Sequence, residues 1–132
     1  MASLFPLGPI LSLFFLLPIG AGSSDLPLPT EWSTHYLCLL EVNPEYQAGT
    51  RASESELTAR HIQYQLLLNE QGRAIAAGGL APLAGDPLVG LTILRADSLA
   101  QARSWAENDP AVKAGRLLAR LREWWVPSSQ LP

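Results

Sequence analysis

The 132-residue chain has a single cysteine, Cys38, so an intrachain disulfide is excluded. It has no basic cluster beyond the loose group Arg116, Arg120 and Arg122, and its net charge is −3. That argues against nucleic acid as a partner, since phosphate neutralisation needs a basic face. No G-x-G-x-x-G or P-loop occurs, and Gly78-Gly79 and Gly85 read as turn glycines. His35, Cys38 and His61 are not at metal-ligand spacing. No nucleophile elbow accompanies a serine or cysteine. No metal and no cofactor is therefore expected.

Charge is also missing from residues 1–24. There the apolar run Ile10 to Ile19 is followed by small residues, Gly20 to Ser24. The pattern resembles a signal peptide over residues 1–23, with cleavage near Ala21–Ser24 and export, for example to a periplasm. It departs from that pattern in lacking a basic start and in carrying Pro6, Pro9 and Pro18. A misassigned start and a cytoplasmic protein are the alternative. A stable membrane span is not expected, because it needs about 20 apolar residues and the prolines interrupt the run. Residues 24–32, with Asp25 to Thr30 (DLPLPT), read as an extended linker.

What the chain does have is 48% hydrophobic residues, enough for one domain, expected over 33–126 with a tail at 127–132. Glu31 to Val42 reads as a strand buried on both faces. Ser53, three residues before Glu56, starts a helix that stops at Gly72. Arg73 to Leu80 and Leu88 to Ala96 form a strand pair around the turn Ala81 to Pro87. Asp97 or Ser98 caps a helix from Leu99 to about Asn108. A short helical turn follows Asp109-Pro110. In the last strand, Leu117 to Val126, Leu117, Ala119, Leu121 and Trp125 face one way, and Arg120 and Arg122 the other.

The order β-α-β-β-α-β is the ferredoxin-like, α+β arrangement: a four-stranded antiparallel sheet with two helices on one face. The opposite face needs a cover. Trp125 and the apolar sides of the first and third strands are the expected surface of a sheet-on-sheet homodimer.

Two residues have chemistry to offer. His61 shares a helical stripe with Leu57, Tyr64 and Leu68. It reads either as a core histidine or as a general acid/base, because imidazole titrates near neutral pH. Asp109, in Ala106-Glu107-Asn108-Asp109-Pro110-Ala111, reads either as a helix cap or as the carboxylate that orients a histidine.

The run His61-Ile62-Gln63-Tyr64-Gln65-Leu66-Leu67-Leu68-Asn69-Glu70-Gln71-Gly72-Arg73, then Ala76-Ala77-Gly78, then Asp109-Pro110, resembles the YciI-like (YCII-related) family over roughly Ser33 to Val126. The resemblance implies a dimeric α/β barrel with a His–Asp pair in a cleft. Matched by position, the pair falls on His61 and Asp109, with Arg60, Tyr64 and Gly78 as binding residues. One carboxylate oxygen of Asp109 is then free to cap the helix while the other accepts from the imidazole. Gly79 replaces a frequent proline, Ala111 a frequent aromatic, and Thr58 a frequent basic residue; these departures imply a reshaped pocket. The expected function is cofactor-free proton transfer on a small cyclic or aromatic molecule, isomerase- or lyase-like. The alternative is a non-catalytic ligand-binding or structural dimer.

Overall fold

A computed structural model describes residues 25–132. The expected leader over residues 1–23 lies outside the described residues. Seven elements follow in order: β1 (Trp32–Val42), α1 (Arg51–Glu70), β2 (Ala74–Gly79), β3 (Leu88–Leu94), α2 (Leu99–Glu107), the one-turn α3 (Pro110–Lys113) and β4 (Leu117–Pro127). Among the described residues, no helix is long and apolar enough to cross a membrane.

The strands form one antiparallel sheet in the order β2-β3-β1-β4. The fold is ferredoxin-like and α+β. Alternation along the strands assigns their faces. Tyr36, Cys38 and Leu40 of β1 pair with Leu94, Thr92 and Gly90 of β3, and all six are buried. With Leu68 of α1 and Ala102 and Ala106 of α2, these β1 side chains and Leu94 make the core. Leu37 and Leu39 of β1, with Ile93 and Leu91 of β3, point to the opposite face and are only half-buried. Among the described residues, β1 is thus covered on one face in the single chain, not on both as its continuous apolar run implied.

Trp125 corrects a second expectation. Its Nε1 donates to Glu123 Oε1 at 2.8 Å, so the two share a side, and Trp125 stays 69% exposed. Trp124, opposite His35, belongs to the uncovered face.

α1 begins earlier than the Ser53–Glu56 pattern implied. Its N-cap is Thr50, whose side chain accepts from Ser53 N at 3.2 Å. Glu54 Oε1 accepts from Gly49 N and from the Tyr46 hydroxyl. These bonds, led by the Gly49 amide, hold the Glu54 carboxyl below its ordinary range. The cap thus uses the Thr50–Glu54 spacing instead, because Glu54 reaches the Gly49 amide of the preceding loop. Gly72, at φ +71°, ends the helix region in a conformation that disfavours a side chain. Ser98, not Asp97, caps α2.

The tail docks back on the sheet. Ser128 N donates to Glu31 O, and Arg95 donates to the Pro132 carbonyl.

Candidate active site

Asp109 sits at the joint of α2 and α3 and is 1% exposed. Its extended backbone and the following Pro110 start the turn, and Oδ1 accepts from Ala111 N at 2.8 Å. Its other oxygen faces α1. Oδ2 accepts from His61 Nδ1 at 2.7 Å and from Gln65 Nε2 at 2.7 Å. The same carboxylate therefore caps one helix and anchors two side chains of another. Because an ionised carboxylate only accepts, the shared hydrogen resides on Nδ1, and Nε2 of a neutral His61 carries a lone pair.

Gln65 and Thr92 complete the network and were not singled out in the sequence. Thr92, 2% exposed, is the polar member of the inward face of β3. Its Oγ1 donates to Gln65 Oε1 at 2.8 Å. The available signal was positional: Gln65 lies one helical turn after His61, on the same face.

A cavity of about 400 Å³ opens beside this chain of bonds. α1 contributes His61, Ile62, Gln65, Leu66 and Asn69. The edge strand β2 contributes Ala76, Ala77, Gly78 and Gly79. Leu40, Gly90 and Thr92 are among the residues from the sheet. A Cβ at Gly90 would meet Gly78 O at 3.3 Å and Leu40 Cδ1 at 3.5 Å, so the sheet admits little more than glycine there. Ile62 and Leu66 are 52% and 64% exposed, leaving apolar surface beside the cavity. The volume is that of a small-molecule site.

Of the expected binding residues, Gly78 lines this cavity and Arg60 and Tyr64 do not. Arg60 is exposed, since it precedes His61 by one residue and points about 100° away on the helix. Tyr64 leans toward α2, where its hydroxyl donates to Trp105 O at 2.8 Å. Burial, then the Asp109 carboxylate, pushes the Tyr64 hydroxyl above its ordinary value, so it remains a donor that ties α1 to α2. Thr58 accepts from Arg116 Nη1 at 2.8 Å. Arg116 also donates to Glu54 O and lies 3.6 Å from Glu54 Oε2, which ties the start of α1 to the approach of β4.

Cys38 lies in the core, and burial, helped by Asp109, pushes its thiol up to about 12. It remains an unreactive thiol near neutral pH. Among the described residues, no group of three His, Cys, Asp or Glu side chains could hold a metal ion.

Comparison with known proteins follows this geometry. A solved structure of 5-chloro-2-hydroxyhydroquinone dehydrochlorinase from Burkholderia phenoliruptrix, in complex with 2,5-dihydroxybenzoquinone, superposes with a TM-score of 0.51. The two chains are 22% identical, and the match covers 68% of this chain and 92% of the other. That likeness is one of fold. No curated protein matches the chain. The profile of the YCII-related domain matches residues 34–124, which include α1, the β2–β3 pair and the Asp109 joint. The chain belongs to the YCII-related domain family.

Proposed function

We propose that the protein is a small enzyme in which His61 moves a proton on a small ring-shaped organic molecule. One observation carries this reading: His61 is held through Nδ1 by a buried carboxylate and lines an apolar cavity of about 400 Å³. His61 Nε2 takes the proton as general base. Asp109 stabilises the imidazolium that forms and keeps the ring in one tautomer. The proton then returns to a different substrate atom, completing an isomerisation, or is released after an anionic leaving group departs, completing an elimination. The dehydrochlorinase of like fold makes halogenated and hydroxylated rings the first compounds to test.

The same reading includes a homodimer. Leu37, Leu39, Leu91 and Ile93 are half-buried on the sheet face that, among the described residues, no helix covers. A second copy packed on that face removes them from water.

Turnover of a panel of chlorinated and hydroxylated rings, followed by ultraviolet absorbance, tests the assignment. His61→Ala should lower kcat by about a hundredfold or more, as for loss of a general base, with circular dichroism unchanged. Undiminished turnover in His61→Ala refutes the reading.

A further inference from the structure

The bonds behind the cavity wall run in one direction. Asp109 accepts, so Gln65 turns its amide nitrogen toward Oδ2 and its carbonyl Oε1 toward Thr92. Thr92 has one hydroxyl hydrogen, and Oε1 holds it. Toward the cavity, Thr92 Oγ1 has lone pairs alone to offer.

Asn69 is oriented the same way by different partners. Its Nδ2 donates to Ala74 O and to Ile75 O, each at 3.1 Å, which leaves Oδ1 as the free end. His61, with Nδ1–H on Asp109, adds the lone pair of Nε2. Three of the four polar side chains lining the cavity therefore present acceptors. The fourth, Gln65, keeps one amide hydrogen. Among the described residues, no lysine or arginine lines the cavity.

We propose that this site selects neutral ring molecules bearing hydroxyl or other hydrogen-bond donors, and discriminates against carboxylates and phosphates of the same size. The inference rests on the reading of His61 as a neutral base. A donor hydroxyl satisfies His61 Nε2, Thr92 Oγ1 or Asn69 Oδ1 and is already placed to lose its proton. A carboxylate in the same place would be desolvated against lone pairs with no counter-charge. The small residues of β2 leave room for a flat ring, since a Cβ at Gly78 would meet nothing within 4 Å and one at Gly79 only Val89 O at 3.8 Å.

Binding of catechol, 1,2-dimethoxybenzene and benzoate to the full chain at neutral pH, measured by calorimetry and by shifts of the His61 ring signals, tests this. Catechol should bind about tenfold or more tighter than either of the others, the scale set by one unmade hydrogen bond to a buried group. Thr92→Val should weaken catechol and leave 1,2-dimethoxybenzene unchanged. Benzoate binding as well as catechol, catechol failing to bind, or Thr92→Val weakening both aromatics alike would each overturn the proposal. Turnover assayed in parallel separates this from the catalytic reading. Preference for catechol without turnover of any ring compound keeps the selectivity and removes the catalysis. Turnover confined to carboxylates keeps the catalysis and removes the selectivity.

Discussion

Nδ1 of His61 lies 2.7 Å from Oδ2 of Asp109, although 48 residues separate them in the chain. The carboxylate is buried and the imidazole borders a cavity, so the pair has a buried side and a side open to the cavity. Its second oxygen is engaged by Ala111 N, so the carboxylate cannot rotate without uncapping α3. Positioning of the ring and capping of the helix are one arrangement.

Replacement of Asp109 by Asn separates these roles. The amide oxygen can still accept from Ala111 N, so the cap persists, while an amide nitrogen facing His61 and Gln65 meets two donors. Asp109→Asn should lower kcat/KM by about a hundredfold to ten-thousandfold and stability by about 1–3 kcal/mol. Steady-state kinetics and urea unfolding read the two effects, and unchanged kinetics would show that Asp109 is a cap alone.

Gln65→Glu should introduce a carboxyl beside Oδ2 of Asp109, where Gln65 Nε2 now sits at 2.7 Å. The like charge raises the folded-state pKa of the introduced carboxyl above its unfolded value. The folded state then binds more protons than the unfolded one, so stability falls as pH rises through the range above about 4.3. The variant should therefore lose most stability relative to the parent at neutral pH and regain part of it near pH 5. Parallel urea melts at the two values check this, and a pH-independent difference would contradict it.

Cys38 should resist thiol reagents in the native state at neutral pH and react once the chain is unfolded. Its folded value of about 12 lies above the ordinary 9.0, with burial the main cause. Its contribution to stability is fully present below about 9 and is lost as pH rises toward 12. Cys38→Ala should flatten the alkaline limb of the stability profile. Rapid labelling of the folded protein with Ellman's reagent would show that the thiol is open to solvent.

Leu39→Glu places a charge at the centre of the uncovered sheet face, opposite Leu91 and Arg120. Light scattering should give a dimer for the parent and a monomer for the variant, with the charge left in water in the separated chain. A monomeric parent would remove the dimer from the proposed function.

Several features of this architecture follow from short-range physics, and the residues announce them. Period-two and helical spacings place the strands and helices in β-α-β-β-α-β order. Asp109-Pro110 signals a helix start, and Gly72 a helix stop, because each satisfies or relaxes backbone groups within a few residues. His61 stands out as a titratable group on a helix stripe with Tyr64 and Leu68.

Only the tertiary structure decides what that stripe meets. Whether Asp109 uses its second oxygen on His61 depends on how α1 crosses the α2–α3 joint, which no local spacing encodes. Gln65 and Thr92 look like ordinary polar residues until the sheet and α1 set Oγ1 and Oε1 2.8 Å apart. Register likewise decides that Trp124, not Trp125, lies on the uncovered face, since a one-residue shift in a pleated strand reverses every side chain. Periodicity is a property of neighbours in the chain, whereas a hydrogen bond across 48 residues belongs to the packing of elements whose relative placement is settled by the core as a whole.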